Sequence, residues 1–225
     1  MLVDEDNNFL TQRDHHKLAL VETSISEETL LIKAPGLNMI QAPLVPVSET
    51  KIKVTVWSDT PKAIPVSDEA NEWFSSYMGF KTQLVYMPDT SNRWVDGRYA
   101  NNKATTSFTD GFPILLITES SLQDLNNRLE SPVKMNRFRP NMVVGGASAF
   151  AEDQWKQIKI NNIVFDIVKP CARCVMTTVN QETGIAGKEP LKTLASFRSR
   201  NNKIYFGQNV IHLSEGLIKI GDSVE

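Results

Sequence analysis

The sequence has very few cysteines: only Cys171 and Cys174 occur in 225 residues. So few thiols exclude a disulfide-rich scaffold, and a reducing compartment would keep both as thiols. A charge surplus is also missing, because 24 basic and 26 acidic residues give a formal net charge of −2. Proteins that bind nucleic acid or anionic membranes mainly by charge carry a basic surplus, so neither partner is expected.

Long apolar runs are absent as well. The one solidly apolar run, Ile114 to Ile117, is far shorter than the roughly 20 residues that a membrane-spanning helix needs. The acidic first ten residues lack the regions of a secretory signal peptide. The sequence therefore predicts a soluble, cytoplasmic protein. Its hydrophobic content of 41% suits one large or two small domains.

What is present is a series of short apolar or alternating runs, each about as long as a strand and bounded by turn residues. They are "KLALVE" (17–22), "TLLIKA" (29–34), "KIKVTVW" (51–57), "KTQLVYM" (81–87), "FPILLI" (112–117), "NMVV" (141–144), "IKINNIVFDIV" (158–168), "VMTTV" (175–179) and "GLIKIGD" (216–222). Most gaps are too short for a helix, which disfavours a doubly wound parallel sheet. The pattern predicts a mixed, β-rich fold of two β-barrel-like subdomains with a few covering helices.

Three segments carry helix signals. Ser67 is a predicted N-cap for a helix that ends at Gly79, and Thr118 is a predicted N-cap for a second helix. Pro190 is predicted at the first position of a third helix. The polar, turn-rich segment from Pro88 to Phe108 indicates a linker or long loop. It divides the chain into predicted domains at 1–100 and 101–225.

Both cysteines lie in "KPCARCVMTTV", residues 169–179, and their spacing allows several kinds of site. A structural zinc site needs four ligands, usually as two pairs, and no histidine pair has suitable spacing. A thioredoxin-like couple needs a helix after its first cysteine, whereas "VMTTV" is β-branched and is predicted to be a strand. Arg173 and Lys169 favour a thiolate, so a single metal ligand is a third interpretation. Inert, small buried side chains remain the fourth.

The segment "NRFRPNMVV", residues 136–144, is the second candidate. If the chain is extended, as Pro140 favours, alternation places Arg137, Arg139 and Asn141 on one side. Arginine and asparagine together suit an anionic heterocyclic ligand. The alternative is a solvated strand entry with an ordinary salt bridge, for example to Glu152 or Asp153.

Two polar turns are weaker candidates. Asp110 and Gly111, in "FTDGFP", predict a tight turn whose backbone amides can face a ligand, although a plain turn is the stronger interpretation of this segment by itself. "FGQN", residues 206–209, is predicted to be a further polar turn.

Taken in chain order, "RFRPNMVV", "FAEDQW", "PCARCVMTTVNQETGIAGKEPLKTLASFR", "FGQN" and "GLIKIGDSV" resemble the MOSC family. The similar branch is that of the mitochondrial amidoxime-reducing component and its bacterial relatives. The resemblance covers roughly residues 108–224, and the part before it resembles the small β-barrel domain that precedes MOSC in that branch.

The resemblance implies a molybdenum cofactor, in which molybdenum is bound by molybdopterin, and reduction of small N-hydroxylated substrates. Pyridoxal phosphate is not expected. Cys174 is implied as the catalytic residue and protein ligand to molybdenum, with Cys171 as a neighbouring thiol. The other implied cofactor contacts are Arg173, Arg139, Asn141, Asp110, Gly111 and Asn209. Relatives have a tyrosine at the last of these positions in some cases.

The sequence departs from the family pattern at both ends. Relatives begin with a "PVKS"-like segment and a further arginine, so we expect either an upstream start or a truncated copy with an incomplete first barrel. No ferredoxin-like domain follows Glu225, so the resemblance implies a separate electron-donor protein carrying flavin, haem or iron–sulfur. Two alternatives follow: a non-catalytic carrier of molybdopterin or sulfur, and an inactive truncated copy.

Overall fold

The computed structural model describes residues 1–100 and 104–225, which form two compact units. Unit 1 comprises Met1–Arg93 with Asn180–Ile185, and unit 2 comprises Trp94–Val179 with Ala186–Glu225. The predicted domain boundary after residue 100 adjoins residues 101–103, which lie outside the described residues. Within the described ranges, no helix has the length and apolar character that crossing a membrane requires.

Unit 1 contains two antiparallel sheets and one helix. Its elements are β1 (Leu2–Val3), β2 (Glu22–Ser26), β3 (Thr29–Lys33), β4 (Ile40–Pro43), β5 (Ile52–Lys53), β6 (Lys62–Pro65), α1 (Asp68–Met78) and β7 (Gln83–Tyr86). The four-stranded sheet has the order β1-β7-β6-β5, and the three-stranded sheet has the order β2-β3-β4. Trp73 and Phe74 of α1 pack with Ile32, Ala42 and Leu84 to form the core of this unit.

Unit 2 is built on one six-stranded sheet. Its elements are β8 (Ile114–Thr118), α2 (Glu119–Asn126), β9 (Met142–Val144), β10 (Gln157–Ile160), β11 (Ile163–Ala172), α3 (Leu191–Arg198), β12 (Ser199–Arg200) and β13 (Lys203–His212). The order is β10-β11-β13-β8-β9, with β12 beside β13. All pairs are antiparallel except β8 with β9. The predicted β-rich, barrel-like fold with few helices is therefore confirmed.

The central strands bury side chains on both faces of this sheet. Leu116 belongs to a cluster with Val210, and Ile117 belongs to a second cluster with Leu125 of α2 and Leu194 of α3. Simple alternation would place Phe206 on the same face as Val210, yet Phe206 packs in the second cluster. Gly207 lies between them with a φ of 80°, and this left-handed residue breaks the alternation.

The predicted helix starts at Ser67 and Thr118 agree with the structure. The Ser67 side chain accepts a hydrogen bond from the Ala70 amide, and the Thr118 side chain accepts one from the Ser121 amide. Gly79 ends α1 in a left-handed conformation. The third start is displaced by one residue, because Pro190 is the N-cap of α3 and not its first helical residue. The signals at Ser67, Thr118 and Gly79 are correct because each depends on contacts within one helical turn.

Two predicted strands outside the cysteine segment are wrong. Residues 17–22 fall mainly in a 3-10 turn, His16–Leu20, and not in a strand. This turn is held against the end of α1 by Lys17. The Lys17 ammonium donates to Tyr77 O, and the Lys17 carbonyl oxygen accepts from the Tyr77 hydroxyl. Residues 216–222 lie outside the strands. There the Asp222 carboxylate accepts from the Lys219 amide over 2.7 Å, which favours a turn over a ladder.

Candidate functional site

Cys174 lies at the start of a short turn, not of a strand. β11 ends at Ala172, and Val175–Thr178 forms a 3-10 turn with Cys174 as its N-cap residue. The Cys174 carbonyl oxygen accepts hydrogen bonds from the Thr177 amide over 3.2 Å and from the Thr177 hydroxyl over 3.0 Å. The prediction that "VMTTV" is a strand is therefore wrong. A threonine that bonds its own local backbone favours a turn over a sheet ladder.

Because no strand follows Cys174, secondary structure after this residue does not exclude a redox couple of Cys171 and Cys174. Among residues 1–100 and 104–225, no group of three or more histidine, cysteine, aspartate or glutamate side chains is placed to hold a metal ion. A metal bound through Cys174 would therefore depend on ligands that come with it, as a cofactor provides.

Arg173 joins the cysteine segment to the turn that precedes β9. Its Nη1 donates to Cys171 Sγ over 3.0 Å, and its Nη2 donates to the Phe138 carbonyl oxygen over 2.8 Å. Its backbone amide donates to Ile204 O over 2.7 Å. The remaining nitrogen, Nε, is buried and has no hydrogen-bond partner among the described residues. A buried N–H without an acceptor is costly, so this position suits a ligand oxygen.

The segment before β9 is not extended, contrary to the prediction. Met135–Arg137 forms a 3-10 turn, and Arg139 has a left-handed φ of 54°. Backbone hydrogen bonds within this turn, including Arg139 N to Asn136 O, override the preference imposed by Pro140. The arrangement of Arg137, Arg139 and Asn141 on one side of an extended chain is therefore wrong.

The two arginines of this segment have different surroundings. Arg139 is exposed, whereas Arg137 is partly buried and its Nη1 donates to the Thr177 carbonyl oxygen over 3.1 Å. Burial lowers the pKa of the Arg137 guanidinium from its ordinary value, because removal from water disfavours the charged form. The predicted alternative named Asp153 as a salt-bridge partner, and Asp153 pairs instead with Arg198 over 2.7 Å.

Asn141 is exposed, and its side chain is oriented by β8. The Asn141 Oδ1 accepts from the Leu115 amide over 2.9 Å, and the Asn141 amide donates to Leu115 O over 2.9 Å. Because Oδ1 is used by this contact, the Nδ2 group is the part of the amide left to face a ligand.

Asn209 lies inside β13, so the prediction that "FGQN" is a turn is wrong. It pairs with Leu115 of β8 and Lys169 of β11, and its Nδ2 donates to Lys169 O over 3.2 Å. Long-range pairing on both sides holds this polar stretch in a strand. Asp110 and Gly111 lie in an irregular segment just before β8, with Asp110 exposed.

The structure thus brings the turn that carries Cys174 into contact with the turn around Phe138, through Arg173 and Arg137. Thr177 is the residue that the sequence interpretation missed. A hydroxyl residue three positions after Cys174 is the signal that indicates such a turn.

The chain matches two family models: "MOSC domain" over residues 103–225 and "MOSC N-terminal beta barrel domain" over residues 1–81. The chain belongs to the MOSC domain family. The MOSC match covers more than half of the chain and includes every site residue described above. The predicted resemblance to the amidoxime-reducing branch is confirmed by its curated relatives.

Those relatives are identical to this MOSC protein at about a third of the aligned positions. Mitochondrial amidoxime reducing component 2 from Rattus norvegicus is 34% identical over 100% of this chain and 71% of its own length. The Bos taurus protein of the same name is 33% identical with the same coverage. Mitochondrial amidoxime-reducing component 1 from Homo sapiens is 30% identical over 100% of this chain and 71% of its own length.

The residues fit an anionic cofactor that carries a phosphate and a metal. The buried Arg173 Nε needs an acceptor, and a phosphate oxygen is a strong acceptor for a guanidinium. The Asn141 Nδ2 is a second oriented donor, and Cys174 offers a soft sulfur ligand. This donor set agrees with the molybdenum cofactor that the sequence resemblance implies.

Proposed function

We propose that this protein is a molybdenum cofactor-dependent oxidoreductase that reduces N-hydroxylated compounds, with Cys174 as the protein ligand to the metal. Its membership of the MOSC family and its relatives named amidoxime reducing components support the reaction class, since an amidoxime is an N-hydroxylated amidine. The observation that carries the proposal is Arg173: its buried, unpartnered Nε lies one residue from Cys174.

The cofactor contacts fall into two groups. Arg173, Arg139 and Asn141 would hold the phosphate and pterin, with Arg173 donating through Nε and Asn141 through Nδ2. Further contacts would come from Asp110 and Gly111, just before β8, and from Asn209 in β13. Asn209 is already bound to Lys169 O, so its role would be to shape the site more than to bind strongly.

When bound, the cofactor would supply two-electron chemistry at molybdenum, and the overall reaction converts an N-hydroxyl compound, two electrons and two protons into the N–H product and water. The protein's part is positioning and electrostatics. The Arg173 guanidinium donates to Cys171 Sγ and to the Phe138 carbonyl oxygen, and so holds the cysteine segment in place. The turn Val175–Thr178 fixes the backbone from which the Cys174 side chain extends.

We also propose a separate electron-donor protein that carries flavin, haem or iron–sulfur. The chain has two cysteines, whereas a common iron–sulfur cluster uses four cysteine ligands. These two cysteines could not hold a cluster of that kind by themselves.

Metal analysis of protein purified from a host that makes the cofactor tests the ligand assignment. We expect molybdenum near one per chain in the wild type and its loss in Cys174→Ala. Cys171→Ala is the matched control, because it removes the other thiol of the same segment. Loss of metal in Cys171→Ala with retention in Cys174→Ala would show that the ligand assignment is wrong.

Turnover separates the enzyme from a non-catalytic carrier. Loaded protein with a chemically reduced artificial donor should convert benzamidoxime to benzamidine, and Cys174→Ala should not. A protein that holds molybdenum or a persulfide on Cys174 but reduces no N-hydroxylated compound would instead be a carrier of cofactor or sulfur.

A further inference from the structure

The backbone of Cys174 is held from both sides, by different kinds of contact. Before it, the Arg173 amide donates to Ile204 O over 2.7 Å, which continues the pairing between β11 and β13. After it, the ladder stops, and the Cys174 carbonyl oxygen accepts two hydrogen bonds from Thr177. Thr177 is therefore the residue that fixes the backbone on the C-terminal side of the thiol.

Thr177 is well suited to fix a backbone position. It is fully buried, and its amide and hydroxyl both donate to the same acceptor. A β-branched side chain has few accessible χ1 rotamers, so its hydroxyl position follows closely from the backbone. Its own carbonyl oxygen accepts from Arg137 Nη1 over 3.1 Å, so Arg137 holds Thr177 in turn.

We propose that Thr177 is a positioning residue that sets the direction of the Cys174 thiol, and that Arg137 acts on the thiol through Thr177. The contacts run from Arg137 Nη1 to Thr177 O and from the Thr177 hydroxyl and amide to Cys174 O. Neither residue needs to touch substrate or cofactor. The effect of these contacts on catalysis rests on the proposed function, whereas the positioning of the Cys174 thiol does not depend on it.

Thr178 provides a matched control within the same turn. It is also a buried threonine, and its hydroxyl donates to Val175 O over 2.7 Å. Thr178→Val therefore removes the same kind of hydrogen bond one residue away, without freeing the Cys174 carbonyl. Thr177→Ser is the conservative variant, because serine retains the hydroxyl.

The first measurement uses cofactor-free protein in a Cys171→Ser background, where Cys174 is the only thiol. The alkylation rate of Cys174 by iodoacetamide at fixed pH reports how firmly the thiol is held. We expect Thr177→Val to raise this rate by about fivefold, a factor that corresponds to one net hydrogen bond. Thr177→Ser should restore the rate, and Thr178→Val should leave it unchanged.

The second measurement uses loaded protein with Cys171 intact. The electron paramagnetic resonance signal of the partly reduced metal depends on the orientation of the cysteine sulfur. We expect Thr177→Val to shift this signal and lower kcat with little change in KM, while Thr177→Ser and Thr178→Val keep the wild-type signal.

Arg137→Gln tests the outer contact and serves as the second variant if Thr177→Val does not fold. It should raise the alkylation rate of Cys174 in the same direction as Thr177→Val. Arg128→Gln is its control, since Arg128 is exposed and pairs with Asp124 on α2.

The proposal is overturned if Thr177→Val and Arg137→Gln alkylate at the wild-type rate, or if Thr178→Val changes the rate equally. If wild-type protein binds no molybdenum, the proposed function fails, whereas the alkylation series still decides whether Thr177 fixes Cys174.

Discussion

The side-chain oxygen of Asn141 accepts a hydrogen bond from the backbone amide of Leu115 over 2.9 Å. This contact fixes which end of the Asn141 amide faces the strand and which end faces a ligand. An acidic residue at this position could keep the contact to Leu115, but it would present a negative oxygen where Asn141 presents the Nδ2 donor.

We therefore expect Asn141→Asp to fold normally and to lose the cofactor. The thermal unfolding midpoint of cofactor-free protein should match the wild type, while molybdenum content falls sharply. Asn136→Asp is the control, because it makes the same charge change at an exposed position of the preceding turn. Wild-type molybdenum content in Asn141→Asp would contradict the assigned role of Nδ2.

Arg173→Lys should weaken cofactor binding strongly while changing the stability of the protein little. A lysine ammonium cannot contact both Cys171 Sγ and Phe138 O while also offering a donor at the Nε position. We expect molybdenum content to fall about tenfold, a size typical of lost supporting contacts at metal sites. The cofactor-free protein should lose less than about 1 kcal/mol of unfolding free energy, because the buried, unpartnered Nε is removed as well.

Metal analysis and urea unfolding measure the two effects of this substitution. Arg200→Lys is the control, since Arg200 is exposed and its guanidinium lies over the Tyr205 ring. Equal molybdenum loss in both variants would argue against a specific role for Arg173.

Glu152→Ala should destabilise unit 2. The buried Glu152 carboxylate accepts from the Thr118 hydroxyl over 3.0 Å and from the Ser121 hydroxyl over 2.8 Å, and thus holds its segment against the start of α2. Removing it leaves buried donors unpaired, so the free energy of unfolding should fall by about 2–3 kcal/mol. Urea unfolding measures this, with the exposed Glu130→Ala as the control at under about 0.5 kcal/mol. Equal effects of the two substitutions would show that the buried contacts contribute little.

Gly207→Ala should destabilise the strand that carries Asn209. An added Cβ would lie 2.6 Å from Ile117 Cγ1 and 2.8 Å from Leu116 O, at a φ of 80°. We expect a loss of about 3 kcal/mol or more in the free energy of unfolding, because the backbone oxygen cannot move aside cheaply.

Gly221→Ala is the matched control for this substitution. Gly221 has a φ of 94°, but an added Cβ would meet no atom within 4 Å. Gly221→Ala should therefore lower the free energy of unfolding by only about 1 kcal/mol, the cost of placing an L residue in a left-handed conformation. If the two variants lose equal stability in urea unfolding, the close approach of β8 to Gly207 is not what requires glycine.

The sequence predictions were correct where they used a specific signal such as an N-cap, and wrong where they used an average preference of residue types. The caps at Ser67 and Thr118 were predicted correctly because each depends on an amide three residues away. The strand at 175–179 was predicted wrongly because β-branched composition is only an average preference. The Thr177 hydrogen bonds to Cys174 O decide that segment.

Predictions for the candidate site were also partly confirmed and partly wrong. The order of the motifs indicated the family, and the family matches confirmed it over residues 103–225. The specific roles of Cys174, Arg139, Asn141 and the other implied contacts stay predictions. The inferred geometry of Arg139 failed because an extended backbone was assumed, whereas the turn at Met135–Arg137 leads into a left-handed residue.

The sequence by itself determined the β-rich class, the three helices and the family, since composition, caps and ordered motifs are local properties of the chain. Only the tertiary structure decided that "FGQN" lies in β13, that Arg137 reaches Thr177 and that Arg173 keeps one nitrogen buried without a partner. The physical reason is separation along the chain. Arg137 and Thr177 are 40 residues apart, and no local preference specifies which distant donors and acceptors meet when the chain folds.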